Sequence, residues 1–309
     1  MRVVFMGTPP FAVPSLAALA ARHEVAAVYT RPDKPAGRGR EPRPSAVKLA
    51  ALERGLPVHQ PATLSSAAAV ADLRRLEPDV MAVVAFGVIL PPDVLALPRL
   101  ATVNVHASLL PRWRGAAPVQ RAILAGDETT GVTLMRVTEG LDAGPFCLQR
   151  TVEIDDHNAA SLTAELAGVG AAALLDALDL IASDAAVWTE QDESAVTYAA
   201  KVTSADVALC QELTVIEAYR RIRASGRQAP SRACVGSVDV SVSDASLSLE
   251  PVAPGAVLAH PKALVLGFSD GALEVTKLTP QGRAPMDGAA YARGARLPAD
   301  ATWGACGAR

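Results

Sequence analysis

Three side chains carry groups that could act on a carbonyl: the carboxamide of Asn104, the imidazole of His106 and the carboxylate of Asp142. Side chains two apart in a strand share a face, so Val103 and Val105 take one side and Asn104 and His106 the other. The chain then runs through a polar loop to Gly115, which places the pair at a strand's C-terminal end, where open α/β sheets bind ligands. A buried, hydrogen-bonded histidine beside a turn-starting asparagine is an equal reading of these two residues alone. Asp142 lies between Gly140 and Gly144 in a tight turn, either as an Asx-turn acceptor or as a carboxylate aimed into a site. Together the three suit acyl transfer. The amide and the imidazole hold the oxyanion of a tetrahedral intermediate, and the carboxylate orients the imidazole or takes up a proton. No serine or cysteine stands in a GxSxG elbow, which favours direct transfer between two bound substrates over an acyl-enzyme. A single histidine with Asn and Asp is not a metal-ligand set, so no metal is expected.

The elements that must position these groups follow from hydrophobic patterning. Residues 3–6 and 80–85 are continuous apolar runs, as in strands buried on both faces. With helices expected over 13–21, 45–54, 66–76 and 118–124, and strands over 25–29, 101–106, 131–137 and 146–154, the rhythm is βαβ and the expected fold is α/β, a Rossmann-like N-terminal domain with a parallel-type sheet. Gly7 stands outside any GxGxxG pattern, which argues against a dinucleotide site. Residues 160–181 form a long Ala/Leu packing helix. After a helix near 214–224 bearing Arg220, Arg221 and Arg223, short strands over 233–242, 246–250, 256–259, 263–268 and 272–278 suggest a small β-barrel. The expected organisation is a catalytic domain over 1–188, a linker over 189–208 and a second domain over 209–309.

Composition bounds the function. A chain of 309 residues suits two domains, and 50% of it is hydrophobic, ample for two cores. The net charge of −3 excludes a polycation that coats nucleic acid. The four cysteines, Cys147, Cys210, Cys234 and Cys306, form no CxxC pair and read as reduced thiols of a cytoplasmic protein without a zinc site. The N-terminal apolar run is too short for a signal peptide, and no stretch approaches membrane-spanning length.

Two further segments stand out. Residues 31–48 hold six basic residues, Arg31, Lys34, Arg38, Arg40, Arg43 and Lys48, against Asp33 and Glu41. Four prolines and two glycines exclude regular structure through most of it. Such a loop is either a solvated insertion or a contact for a polyanion. Phe86, Gly87, Val88 and Ile89 follow the strand at 80–85; they could wall a pocket for a flat ring, although packing beneath a loop is the simpler reading of these residues by themselves.

The motifs Asn104-x-His106-x-Ser108-Leu109-Leu110-Pro111-x-Trp113-Arg114-Gly115-Ala116-Ala117-Pro118, Gly126-Asp127-x-x-Thr130-Gly131-Val132-Thr133 and Gly140-Leu141-Asp142-x-Gly144 resemble those of the folate-dependent formyltransferases. So do Gly7-Thr8-Pro9, Arg31 to Gly39, Ala85 to Pro91, Asp270 to Val275 and Pro280 to Met286, so that nearly the whole chain is covered. The resemblance implies 10-formyltetrahydrofolate as formyl donor and co-substrate, and the amino group of methionyl initiator tRNA as acceptor, an activity serving translation initiation. It implies that Asn104, His106 and Asp142 are catalytic. Ser108, Leu109, Leu110 and Pro111 then contact the folate, and Phe86, Gly87, Val88 and Ile89 line its pterin pocket. Lys34, Arg38, Arg40 and Arg43 approach the tRNA acceptor stem, with Arg38 discriminating the initiator's unpaired end. The second domain is then an OB-like barrel (OB-fold) that tracks the tRNA backbone, in keeping with its eleven basic and nine acidic residues over 210–309. A monomer without membrane association is expected.

Two segments depart from the family. Leu209-Cys210-Gln211 stands where members carry Ile-Asp-Trp, and Ser225 to Pro230 replaces Phe-Asn-Pro-Trp-Pro-Gly. Both usual segments hold a tryptophan suited to anchoring the second domain. The alternative acceptor is a small amine, a nucleotide-linked amino sugar or glycinamide ribonucleotide, which would use the same trio without needing the basic loop or the barrel.

Overall fold

A computed structural model describes residues 1–36 and 41–306. Contacts group the chain into two compact units, Met1–Pro118 with Thr129–Glu153 and Thr163–Ala199, and Val119–Glu128 with Ile154–Leu162 and Ala200–Arg309.

In chain order the first part contains β1 (Arg2–Gly7), α1 (Val13–Arg22), β2 (Glu24–Tyr29), β3 (Lys34–Ala36), β4 (Glu41–Arg43), α2 (Ala46–Glu53), β5 (Val58–His59), α3 (Ala67–Arg75), β6 (Val80–Val84), α4 (Pro92–Leu95), β7 (Ala101–His106), β8 (Arg114–Gly115), α5 (Pro118–Ala125), β9 (Thr129–Arg136), β10 (Phe146–Glu153), α6 (Ala159–Ala182) and β11 (Tyr198–Ala199). The main sheet has the order β10-β9-β7-β6-β1-β2-β5. From β5 to β7 neighbouring strands are parallel, and β9 and β10 add an antiparallel edge. The α/β expectation therefore holds, with a mixed rather than purely parallel sheet. The apolar runs of β1 and β6 are buried, as a sheet covered on both faces requires. Ser45 and Ser66 cap α2 and α3 by accepting the Lys48 and Ala69 amides, a satisfied N-terminus that sets where each helix starts.

The chain fills the β1–β2–β5 side first and then crosses to β6 and β7. The sheet's switch point thus lies between β1 and β6, with the loops after β1, β6 and β7 above it. Thr8 Oγ1 donates to Phe86 O at 3.0 Å and ties two of these loops together.

Two local expectations change. The proline-rich segment after Arg31 forms a short antiparallel hairpin, Lys34 opposite Arg43 and Ala36 opposite Glu41. Prolines are tolerated there because the pair is isolated from any larger sheet. Arg38 and Arg40 lie outside the described residues. The segment at 198–199 pairs in parallel with β8 rather than running free.

The second unit contains α7 (Val215–Ala224), β12 (Ser231–Val235), β13 (Val238–Ser248), β14 (Val257–His260), β15 (Ala263–Gly267), β16 (Ala272–Pro280), β17 (Met286–Asp287), α8 (Gly288–Ala295) and β18 (Trp303–Gly304). The strand order is β14-β15-β16-β13-β12-β18, with β17 on β16. A bridge between Ala256 and Thr302 joins the two ends, so the sheet curls into a nearly closed antiparallel barrel. The single strand expected at 233–242 is two strands broken at Gly236, whose φ of +61° suits the first position of a tight hairpin. The strand expected at 246–250 is the end of β13, and α8 and β18 carried no pattern long enough to read.

The departures at 209–211 and 225–230 are accommodated locally. Leu209 is buried in the barrel core, with Cys210 packed beside it. Gly226 and Ala229 exchange main-chain hydrogen bonds in a compact turn that buries Ala229. The basic residues of α7 are partly structural: Arg221 donates to Ala208 O at 2.6 Å, and Arg223 to His157 O at 2.8 Å. Thr214 and Glu217 form a reciprocal capping box at its start.

Asp206 is a further fixed point of this unit. Its carboxylate accepts the Thr203 amide at 2.8 Å and hydroxyl at 2.7 Å, and pairs with Arg121 at 2.9 Å. The Thr203 amide first, then Arg121, hold it down at about 2. A carboxyl lowered on folding adds stability above its ordinary value near 3.8 and loses it as the pH falls toward 2. Asp206→Asn is therefore expected to cost about 1–2 kcal/mol at pH 7. In urea unfolding of the full chain, the gap to the parent should narrow as the pH drops below 4.

Candidate functional site

His106 closes β7 opposite Thr133 on β9, and Asn104 lies two residues earlier, flanked by Val83 and Met135. Strand hydrogen bonding on both sides gives the two side chains a rigid base. His106 is buried, and its Nε2 lies 2.9 Å from Trp113 O. A carbonyl only accepts, so Nε2 carries a proton and Nδ1 faces the site. Nδ1 lies 3.6 Å from Asp142 Oδ2. The trio expected from sequence thus has two members in direct apposition and the third beside them on the same strand face. The Asn104 carboxamide has no hydrogen-bond partner among the described residues. A partly buried donor left open at a strand end is available to a ligand.

Asp142 is not an acceptor for its own turn. Its Oδ2 accepts the Gly115 amide at 2.9 Å, across 27 residues, and Oδ1 has no partner among the described residues. The backbone here is left-handed, φ +47°, which costs an L residue about 1–2 kcal/mol and persists only where surrounding contacts impose it. Those contacts come from Gln191, whose Nε2 donates to Asp142 O and Gly144 O, each at 2.8 Å.

The loop after β7 is held from below by Thr133. Its hydroxyl donates to Ser108 O at 2.6 Å and accepts from the Leu110 amide at 3.1 Å and Gln149 Nε2 at 2.9 Å, which exhausts a hydroxyl's capacity. Gln149 also donates to Leu110 O at 2.8 Å, and Ser108 Oγ to Arg112 O at 2.6 Å. The Leu110–Pro111 peptide is cis. Gly131 leaves room for this loop, since a Cβ there would meet Leu109 Cδ2 at 2.6 Å and Arg150 O at 2.1 Å. Ser108, Leu109, Leu110 and Pro111 are therefore one rigid body with the end of β7.

The segment after β6 presents backbone rather than ring. Phe86 is buried in the core with Met6, Tyr29 and Met81, and Val88 packs against the same cluster. Ile89 is 89% exposed. Ala85 and Gly87 both have positive φ, +48° and +72°, so the chain turns sharply above the switch point. Any ligand contact by Phe86 falls to its main chain.

At the basic segment, Asp33 accepts from Lys48 Nζ at 2.6 Å and Gln60 Nε2 at 2.7 Å. The Lys48 ammonium, then Gln60, holds the Asp33 carboxyl below its ordinary value. Lys48 therefore serves as an anchor at the base of the hairpin, while Arg43 is exposed. The Lys34 backbone pairs opposite Arg43.

Several site residues carried no readable signal. Gln191 and Glu193 lie in a polar stretch with no pattern, and they meet Arg114 only through the fold: Arg114 Nε donates to Gln191 Oε1 at 2.9 Å and its guanidinium pairs with Glu193 at 2.8 Å. Within residues 112–115, Arg114 is 3% exposed and supports the loop. Arg112 is exposed and lies over the Trp113 ring, 4.4 Å from its centroid.

Comparison with known proteins covers most of the chain. The formyl transferase family model matches residues 1–178, and the model of the formyl transferase C-terminal domain matches 201–296. A protein of Methylococcus capsulatus named methionyl-tRNA formyltransferase is 47% identical over 93% of this chain and 94% of its own length. Among solved structures, HypX from Aquifex aeolicus in complex with tetrahydrofolic acid shares the fold over 94% of this chain at a TM-score of 0.66 and 20% identity; the chain spans 46% of that protein. The sugar 3N-formyl transferase WlaRD, solved with dTDP and 5-N-formyl-THF, has a TM-score of 0.68 at 18% identity, covering 92% of this chain and 99% of its own.

Proposed function

The chain belongs to the formyl transferase family, and we propose that within it the protein transfers the formyl group of 10-formyltetrahydrofolate to the α-amino group of methionyl initiator tRNA. The observation that carries the chemistry is the Asn104 carboxamide, partly buried and without a hydrogen-bond partner among the described residues, on the same strand face as His106 of the His106–Asp142 pair. The name of the Methylococcus capsulatus relative supports the acceptor, and the tetrahydrofolic acid bound by HypX supports a folate donor.

The neutral amine attacks the formyl carbon. The carbonyl oxygen becomes an oxyanion that accepts from Asn104 and from a protonated His106 Nδ1, with Asp142 balancing the imidazolium charge. Asp142 Oδ1, the oxygen not engaged by Gly115, takes the proton lost by the amine. The intermediate collapses by breaking the bond to N10 of the folate, and N10 takes up that proton. The ring of His106 is oriented by Trp113 O as well as by Asp142. Ser108 to Pro111 and the main chain of Phe86 to Ile89 flank the donor. In this reading Lys34, Arg38, Arg40 and Arg43 contact tRNA phosphates, with Arg38 reading the initiator end, and the barrel also binds the tRNA backbone.

The test is formyl transfer from 10-formyltetrahydrofolate to methionyl initiator tRNA and to methionyl elongator tRNA. Transfer to the initiator should exceed that to the elongator by at least about tenfold. Its KM should rise steeply with salt, because each neutralised phosphate contributes a slope of about −0.9 in log K against log salt for duplex nucleic acid. Formylation of a nucleotide-linked amino sugar or glycinamide ribonucleotide without tRNA binding would overturn the reading.

A further inference from the structure

Asp142 stands in a left-handed backbone conformation with its carboxylate on the Gly115 amide. One side chain spans the turn that creates this arrangement. Gln191 is 7% exposed, and its single NH2 group donates to the main-chain carbonyls of both Asp142 and Gly144. The two N–H bonds of a carboxamide are coplanar and about 120° apart, so one amide sets the spacing of both carbonyls.

The orientation of that amide is itself determined. Arg114 presents only donors, and its Nε meets Gln191 Oε1 at 2.9 Å. Turning the carboxamide over would set donor against donor at Arg114 and acceptor against two acceptors at the turn. The guanidinium's far edge is satisfied by Glu193, with contacts of 2.8 and 3.4 Å. Arg114 also begins the pairing with 198–199 and immediately precedes Gly115. The same two-residue strand therefore holds the back of the clamp through Arg114 and receives the carboxylate through Gly115.

We propose that Gln191, locked by Arg114, is the positioning residue for Asp142: it holds the 140–144 turn so that the Asp142 carboxylate stays on the Gly115 amide and against His106. The structural part stands alone; its kinetic consequence rests on the formyl-transfer reading. Gln191 does not touch the reacting atoms and acts through Asp142.

Two variants of the full chain test it. Gln191→Glu keeps the side chain's shape and an acceptor for Arg114 while removing both donors to the turn. Gln191→Met removes donors and acceptor together. In each, hydrogen exchange of the Gly115 amide should accelerate about tenfold or more, because losing the two hydrogen bonds to the turn frees the carboxylate that protects it. Exchange of the Val103 and Val105 amides should be unchanged. In the transfer assay, kcat should fall about 10- to 100-fold with the donor KM within about twofold of the parent. Combined with Asp142→Asn, either variant should add no more than about a twofold loss, since both act through one group. Unchanged Gly115 exchange in both variants, or losses that multiply in the double substitution, would overturn the proposal. If the unsubstituted protein transfers no formyl group, the functional reading fails and the exchange measurement still decides the clamp.

Discussion

Asn104→Ala lowers kcat for formyl transfer by about 10²–10³, the cost of removing one oxyanion donor from a preorganised site. The size follows from what the carboxamide does in the free protein: it makes no hydrogen bond to any described residue, so nothing else depends on it. Its main chain is held between Val83 and Met135, and alanine leaves that ladder intact. The loss should therefore appear in kcat, with donor binding and thermal stability close to the parent. Asn104→Asp is more severe, because it sets a negative charge where the oxyanion forms. Steady-state kinetics with a separate folate-binding titration check both. A kcat within tenfold of the parent for Asn104→Ala would remove Asn104 from the mechanism.

Trp303→Ala destabilises the barrel by about 3–5 kcal/mol, the range for deleting a large buried aromatic. The indole is 4% exposed, packs against the Phe268 ring at 4.8 Å and donates from Nε1 to Gly267 O at 3.0 Å. Its backbone pairs with Val235 and bonds to Gly255 O at 2.9 Å, so the residue also joins the two ends of the strand order. Truncation leaves a cavity, removes one of the two donors to Gly267 O and weakens the seam. Trp303→Phe keeps part of the packing and loses the hydrogen bond and the remaining indole volume, so its cost should be smaller. Chemical unfolding of the full chain, read by a probe in the second unit, measures the difference. Equal stability of Trp303→Ala and the parent would show that the seam does not depend on the indole.

The barrel core packs without a tryptophan at 209–211 or 225–230. Without a tryptophan at either segment, the barrel still has one large indole anchor, supplied by the final strand. Leu209 fills core volume and the 226–229 turn closes on itself. The burial of Trp303 left no mark on the sequence, because it sits in a two-residue strand with no periodicity to reveal it.

The amino-acid sequence determined what depends on local pattern. Apolar runs set β1 and β6, serine and threonine caps set helix starts, and the two-residue spacing set Asn104 and His106 on one strand face. Gly140 and Gly144 marked the turn that carries Asp142, although not where its carboxylate points. Long-range closure decided the rest. The Asp142 carboxylate accepts from the Gly115 amide, 27 residues away, and its main-chain carbonyl from Gln191, 49 residues away. Thr133 and Gln149 support the loop after β7 only because β9 and β10 pair beside it. Phe86 turns its ring into the core because the strand end before it is covered on both faces. Such contacts join residues with no shared period, and the cost of ordering them is met only once the sheet and its loops have closed together.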